Sequence, residues 1–160
     1  MGAADAEASF APAAPADEDV VVAMMRELYA HDGLYFDEAR ARTALARLLA
    51  DESLGRVWVA WADGEPAGYL VLTLGYSLEF AGRDAFVDEL YLREPFRGGG
   101  LGRRAIAKAV EACRELGVAA LHLEVERANT GAQGFYRRLG FHDHDRYLMT
   151  RWIAEHAPRE

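Results

Sequence analysis

The feature that most constrains the fold is a strand, a glycine cluster and a helix that follow one another within residues 86–117. Residues 86–92 are mostly β-forming, and Pro95 ends the strand because proline has no amide hydrogen to donate to a ladder. From Leu101 onward apolar residues recur at helical spacing, and charged residues occupy the opposite side. The segment therefore predicts a β-strand that leads through a glycine loop into an amphipathic helix.

The start of this helix is rich in glycine and carries no side chain suited to capping it. The first turn of a helix exposes backbone N–H groups and the positive end of the helix dipole. Glycines leave these donors accessible to a bulky anion, and Arg97 and Arg103 add positive charge. The pattern predicts a phosphate site, although a glycine run can also form no more than a tight turn.

Three kinds of phosphate-binding loop are candidates for this position. A P-loop requires a lysine after its second glycine, and none follows here. A dinucleotide fingerprint would match Gly100, Gly102 and Ala105, with Glu124 as the acidic residue about 20 positions further on. That fingerprint should follow its strand directly, whereas residues 93–97 intervene here. An NAD-dependent oxidoreductase is therefore the least favoured alternative.

The third kind is the acetyl-CoA loop of the GNAT family of N-acetyltransferases. Residues 97–102 read R-x-x-G-x-G and resemble its motif, Gln/Arg-x-x-Gly-x-Gly/Ala. Residues 87–92 are similar to the fourth strand of the family, and further matches lie downstream at Asn129, Phe135, Tyr136, Leu139, Gly140 and Phe141. The resemblance covers residues 86–141 closely and the remainder loosely. It is nearest to the polyamine and thialysine acetyltransferases, which act on small amines.

As fold class, the resemblance implies an α/β (α+β) architecture with a mixed, mostly antiparallel sheet of six to seven strands and helices on both faces. The strand before the glycine loop and the strand after its helix would form a central parallel pair, joined by a right-handed crossover, and would splay apart. The resemblance places the pantetheine arm in that gap, bonded by backbone groups of Leu90, Tyr91 and Leu92.

Periodicity and breaker residues predict the elements in the order β-α-α-β-β-β-α-β-α-β-β. Asp37 is predicted to cap the second helix, Asp63 and Gly64 to form a hairpin turn, and Gly140 to close a last helix over residues 130–139. The predicted strands cover residues 9–11, 57–61, 67–74, 86–92, 119–126, 141–144 and 147–153.

Length and composition indicate one domain, since 160 residues that are 51% apolar can bury a single core. We expect residues 1–7 to form a disordered tail and residues 8–156 a single acetyltransferase domain. The sequence has no run of eighteen apolar residues and no basic segment followed by an apolar one at its start, so we expect no membrane association and a cytoplasmic location. Cys113 is the single cysteine, and its place on the apolar stripe predicts a buried side chain.

The formal net charge of −8 argues against nucleic acid as a partner, because no basic stretch offsets it, and is compatible with a cationic substrate. No metal is expected, since His142 and His144 alternate on one predicted strand without a third ligand nearby. The resemblance implies acetyl-CoA (coenzyme A) as co-substrate. Dimers are usual in the family, so a homodimer is an expected assembly.

The resemblance assigns the acetyl-CoA contacts to the end of the central strand, to the glycine loop and to downstream positions. For Asn129 a helix N-cap is an additional interpretation, and for Arg138 a solvated helix face explains the residue equally well. The predicted contacts are Leu90, Tyr91, Leu92, Arg97, Gly98, Gly99, Gly100, Leu101, Gly102, Arg103, Asn129, Tyr136 and Arg138.

Acetyl transfer to an amine needs a base for the amine proton, donors for the oxyanion and an acid for the departing thiolate. Asp88 holds the position of the supposed base of the resembled enzymes, and Glu89 follows it. Neighbours on a strand point to opposite faces, so only one enters the site unless a bulge re-aims them. The base is thus Asp88, Glu89 or a water relay. Tyr136 is the predicted acid, and the backbone amide near Leu90 would polarise the thioester carbonyl.

The acceptor is expected to bind among acidic and aromatic residues that suit an ammonium group. We predict an enzyme that moves an acetyl group from acetyl-CoA to a primary amine of a small molecule by direct attack. The alternatives are a protein or peptide N-acetyltransferase and a non-catalytic acyl-CoA-binding module. The candidate substrate-binding residues are Tyr29, Asp32, Tyr35, Tyr76, Glu79 and Asp88.

Overall fold

The computed structural model of the chain describes residues 8–154. The predicted tail at residues 1–7 and the last two residues of the predicted domain lie outside these. The helices are α1 (Glu18–His31), α2 (Glu38–Ala50), α3 (Leu101–Glu115) and α4 (Thr130–Arg138), with 3-10 turns at Pro15–Asp17 and Glu94–Phe96. The strands are β1 (Ser9–Pro12), β2 (Gly55–Ala62), β3 (Glu65–Ser77), β4 (Gly82–Leu92) and β5 (Ala120–His122).

The strands form one sheet in the order β1-β2-β3-β4-β5. Neighbours are antiparallel except β4 and β5, which pair in parallel as Asp84–Phe86 with Ala120–His122. This ladder ends at Phe86, and β4 continues to Leu92 without a described strand on that side. The mixed sheet and its parallel pair confirm the predicted fold class, and the short ladder agrees with two strands that diverge.

The two faces of the sheet carry different helices. Buried residues of α1 and α2, such as Val22 and Leu45, pack with Val59 and Val71 on one face. The neighbouring residue Ala60 points to the other face and packs with residues that include Leu101 at the start of α3. Helices therefore flank the sheet on both sides, as predicted, and hold β4 between them.

The structure has five strands among residues 8–154, fewer than the six to seven predicted. The strand predicted at residues 119–126 covers Ala120–His122, and those predicted at residues 141–144 and 147–153 do not form. Side chains there that would alternate in a half-buried strand are exposed, for example Tyr147 at 83% and Met149 at 89%. β-forming composition alone is insufficient because a strand also needs a partner ladder and a core to cover it.

The described chain divides after Leu123 into two compact units, each described by itself. In the second unit Asn129 caps α4, since its side-chain oxygen accepts a hydrogen bond from the Ala132 amide at 3.1 Å. Gly140, with φ of 95°, follows the helix end, as predicted. Tyr136 contacts Phe135 and Phe141 edge to face, with ring centroids 5.2 and 5.7 Å away.

Within residues 8–154, the structure contains no helix of sufficient length and apolar character to cross a membrane.

Candidate functional site

A β-bulge in β4 decides which carboxylate faces α1 and α2. Val87 pairs with Leu72 and Glu89 with Val71, so Asp88 is the extra residue of the bulge. Because Leu72 and Val71 point to opposite faces, the bulge turns Glu89 to the face of Val71, which packs against the two helices. Asp88 remains exposed. The sequence left open whether Asp88 or Glu89 is the base. The strand geometry favours Glu89.

Two tyrosine hydroxyls hold the Glu89 carboxylate. Tyr69, a fully buried residue of β3, donates a hydrogen bond to Glu89 Oε1 at 3.0 Å. Tyr29, near the end of α1, also hydrogen-bonds to Glu89. Asp32, one turn further on, is close enough for its charge to act on Glu89. Tyr29 and Asp32 were predicted from the sequence as acceptor-binding residues, and the structure brings both beside Glu89.

This environment raises the pKa of Glu89. Desolvation by burial is the main cause, and the charges of Asp88 and Asp32 add to it, while the hydrogen bonds from Tyr29 and Tyr69 oppose it. Burial next to a carboxylate also raises the pKa of both tyrosines, so they remain donors at neutral pH. Desolvation raises the pKa of Asp88 too, but its side chain is exposed and water screens its charge more effectively.

Tyr69 is a site residue that sequence reasoning missed. It lies inside the apolar run of β3, where a tyrosine is indistinguishable from a core aromatic. A buried tyrosine hydroxyl needs a hydrogen-bond partner. That requirement was the one available signal, and it does not reveal which residue is the partner.

The loop between β4 and α3 has the form expected of an anion seat. Gly98 and Gly100 have φ of 80° and 86°, a region that side-chain-bearing residues rarely adopt. A Cβ added at Gly98, Gly99 or Gly100 would meet no atom within 4 Å, so the space beside the loop is open. No side chain caps α3, and its first turn contains no acidic residue. Its first amides and the helix dipole are therefore available to an anion.

Two arginines follow this loop at the start of α3. Arg103 is exposed in the first turn of α3, next to Leu101 and Gly102, and Arg104 hydrogen-bonds to the Ala8 carbonyl. Cations at a helix N-terminus oppose the dipole. Their presence is understandable if an anion binds there.

Arg97 takes a different position from the one expected. Its Nε donates a hydrogen bond to the Leu92 carbonyl at 2.7 Å, and its guanidinium lies 5.6 Å from the centre of the Tyr91 ring. The Leu92 carbonyl, a predicted pantetheine contact, is thus already bonded. Leu90 pairs with Leu70 of β3 on one side of β4. On its other side, where β5 pairs with β4 only as far as Phe86, no described strand pairs with Leu90.

A partly buried ion pair fixes the end of β4 to α1. Arg93 donates to both carboxylate oxygens of Glu27, at 3.0 and 2.8 Å, and to the Pro66 carbonyl at 3.1 Å. Tyr91 also hydrogen-bonds to Glu27. This pair was not identified from the sequence, because Glu27 and Arg93 are far apart in the chain.

The remaining predicted acceptor-binding residues of the first unit make no described contact with Glu89. Tyr35 and Glu79 are exposed. Tyr76 is 73% exposed, and alternation along β3 places it on the face opposite Glu89. In the second unit, burial raises the pKa of Tyr136, and Arg138 is exposed. Residues 8–154 contain no group of three or more side chains placed to hold a metal ion.

Comparison with known proteins assigns the family. Residues 22–141 match the acetyltransferase (GNAT) family. The chain therefore belongs to that family, and the prediction made from its motifs is confirmed.

Three similar proteins illustrate the range of relatives. The thialysine N-epsilon-acetyltransferase of Bos taurus is 33% identical over 88 residues, 51% of this chain and 51% of that protein. An uncharacterized N-acetyltransferase of Methanocaldococcus jannaschii is 32% identical over 97 residues, 60% of this chain and 42% of that protein. The chain thus spans about half the length of these curated relatives. The crystal structure of an integron cassette protein from the mobile metagenome of Cole Harbour Salt Marsh is 36% identical, covers 91% of this chain and 90% of its own, and superposes with a TM-score of 0.82.

Proposed function

We propose that this protein is an N-acetyltransferase that moves the acetyl group of acetyl-CoA to a primary amine of a small molecule. The observation that carries the proposal is the environment of Glu89, which lies on β4, the strand that leads into the glycine loop. Its carboxylate is partly buried, has a raised pKa and interacts with the hydroxyls of Tyr69 and Tyr29. A base whose pKa is shifted towards neutrality is suited to take a proton from an ammonium group. The acidic surroundings favour a cationic acceptor.

The proposed seat for the diphosphate of acetyl-CoA is the loop from Arg97 to Gly102 and the first turn of α3. The residues fit this group because the glycines leave open space, the helix has free amides and Arg103 supplies charge. Acetyl-CoA brings the activated thioester. Binding of its diphosphate would also offer Arg97 an alternative to its bond with the Leu92 carbonyl.

The proposed chemistry is direct attack. Glu89 accepts a proton from the acceptor ammonium, and the free amine forms a bond from its nitrogen to the thioester carbonyl carbon while the carbon–sulfur bond breaks. The Tyr136 hydroxyl, the proposed acid, gives a proton to the departing sulfur. The acylated nitrogen then loses its extra proton to solvent, from which the Tyr136 oxygen is reprotonated, and Glu89 returns its proton to solvent. The products are an N-acetylated amine, free coenzyme A and one proton, which balances the reaction.

The proposal is tested by following free thiol release from acetyl-CoA with a panel of small primary amines. We expect release that depends on the amine and falls at least about 100-fold in Glu89→Gln, since a positioned base contributes about that factor or more. Tyr136→Phe tests the acid separately and should lower kcat with little change in affinity for coenzyme A. Tight binding of coenzyme A without turnover of any amine or peptide would instead favour the non-catalytic acyl-CoA-binding alternative.

A protein or peptide N-terminus is the second acceptor class, and a peptide panel in the same assay distinguishes it. We also propose a cytoplasmic location, because a lone cysteine suits a reducing environment. A homodimer is proposed from the family resemblance. Sedimentation velocity of the full chain measures the assembly.

A further inference from the structure

A second group of polar and aromatic side chains lies on the sheet face of Glu89. Asp84 Oδ2 and His122 Nε2 are 3.3 Å apart, and both side chains are largely buried, at 15% and 17% exposure. The imidazole ring is flanked by Phe80 and Phe86, with ring centroids at 4.8 and 4.9 Å. None of the contacts described above for Glu89 involves these residues.

The strand register places this group in line with Glu89. Glu89, Phe86 and Asp84 pair with Val71, Thr73 and Gly75 of β3, which alternate on one face. The bulge at Asp88 is what aligns them, because without it Glu89 would point away from Phe86. At about 3.3 Å per residue of β3, the Asp84 position lies roughly 13 Å from Glu89 along the sheet.

The backbone around Asp84 makes room for its carboxylate. A Cβ on Gly75 would lie 2.7 Å from Asp84 Oδ1, so any larger residue there would displace the carboxylate. Phe86 is 38% exposed although it is a large apolar side chain. The group therefore presents a carboxylate and an aromatic ring at a partly open surface.

The pairing of Asp84 with His122 leaves capacity for a ligand. A separation of 3.3 Å is at the long end for a hydrogen bond, and a carboxylate accepts several. Among residues 8–154, every buried side-chain nitrogen or oxygen has a hydrogen-bond partner. Any atom of Asp84 or His122 that has no such partner is therefore accessible to solvent. A cation can bind here through the carboxylate and over the Phe86 ring.

From this arrangement we infer that Asp84, His122, Phe80 and Phe86 bind a second cationic group of the acceptor, at the end remote from the reacting nitrogen. The acceptor class is an elongated amine with two positive charges, whose spacing approaches the distance from Glu89 to Asp84. The inference rests on the proposed acetyl transfer at Glu89.

The test is a specificity measurement on the full chain. Values of kcat/KM are compared for linear diamines from the butane to the decane member and for monoamines of matched length. We expect wild-type protein to prefer the longer diamines over matched monoamines. Asp84→Asn should reduce that preference about tenfold, as for loss of one charge-assisted contact, with monoamine kcat/KM and the KM for acetyl-CoA unchanged. Phe86→Leu should reduce it less.

Asp63→Asn is the matched control, because it removes one negative charge from the turn between β2 and β3, at the opposite end of the sheet from Asp84. Asn is also well tolerated at its φ of 53°. If wild type is active and the folded Asp84→Asn and Phe86→Leu variants both keep its preference for diamines, this inference is wrong and the proposed function still stands. No turnover of any amine by wild type overturns the proposed function itself and this inference with it.

Discussion

At the scale of single residues, the proposed chemistry depends on the surroundings of one carboxylate. Glu89 is partly desolvated and lies near two other acids, yet two tyrosine hydroxyls stabilise its charged form. These opposing effects leave a carboxyl group that ionises at higher pH than an exposed glutamate. Such a group is costly for folding and useful for proton transfer, a conflict that is typical of functional sites.

Glu89→Gln is expected to be inactive and more stable at neutral pH. Because the folded-state pKa is raised above the unfolded value of 4.5, the wild type is not penalised below about pH 4.5 and loses stability as pH rises through the folded-state pKa. The melting temperature of the variant should therefore exceed that of the wild type at pH 7, and the two should converge in acid. Glu111→Gln, on the exposed side of α3, is the control. Equal melting temperatures for Glu89→Gln and wild type at every pH would contradict this account.

Tyr69→Phe is expected to shift the pH dependence of kcat/KM. The Tyr69 hydrogen bond lowers the pKa of Glu89, so its loss should raise that pKa further and move the rising limb of the profile to higher pH. At a pH well above the shifted pKa of Glu89, the variant should regain most of its activity. A protein that is only destabilised would not show this recovery. Tyr147→Phe, at an 83% exposed position, should leave the profile in place.

At the scale of elements, the turn from β4 into α3 combines two properties of glycine. Positive φ at Gly98 and Gly100 sets the path of the loop, and the missing side chains expose the first amides of the helix. The bulge at Asp88 acts in the same strand at shorter range, by choosing the face of Glu89. One strand thus orients both the proposed base and the proposed phosphate seat.

Gly100→Ala is expected to weaken coenzyme A binding more than it weakens the fold. The left-handed conformation costs alanine roughly 1 kcal/mol, and the added methyl would occupy the space beside the helix amides. Gly117→Ala is the matched control, since Gly117 follows the other end of α3 with φ of 68° and similarly open surroundings. Calorimetric titration with coenzyme A should show a loss for Gly100→Ala alone. An equal loss of coenzyme A affinity in both variants would mean that backbone strain at the substituted glycine is responsible, and not a phosphate site at Gly100.

At the scale of the whole molecule, Cys113 reports on the integrity of the packing between α3 and the sheet. Its side chain is buried on the apolar stripe of α3, as predicted, and burial raises the pKa of the thiol. A protonated, inaccessible thiol is a poor nucleophile.

The native protein is therefore expected to react slowly with a thiol reagent, and the reaction rate should rise sharply at the urea concentration where circular dichroism reports unfolding. Cys113→Ser, which removes the thiol, supplies the baseline. Fast labelling of the folded protein would show that this helix opens locally.

Local patterns in the sequence predicted much of the fold. The caps at Asp37 and Asn129 form as expected, and the glycine loop leads into an amphipathic α3 because its residues have the required periodicity. These features depend on neighbours along the chain. The strands predicted at residues 141–144 and 147–153 were wrong for the complementary reason, since a strand requires a partner that local composition does not specify.

The sequence by itself determined the family, the glycine loop that leads into α3 and the presence of two adjacent acids near the end of the central strand, because each depends on consecutive residues. Tertiary structure alone decided which acid turns inward, that Tyr69 and Tyr29 hold it, and that Asp84 and His122 lie on the same face. Those outcomes depend on the strand register, on one extra residue in β4 and on helix packing. All three arise from contacts between segments distant in sequence, where side-chain direction is fixed by pairing and burial rather than by local preference.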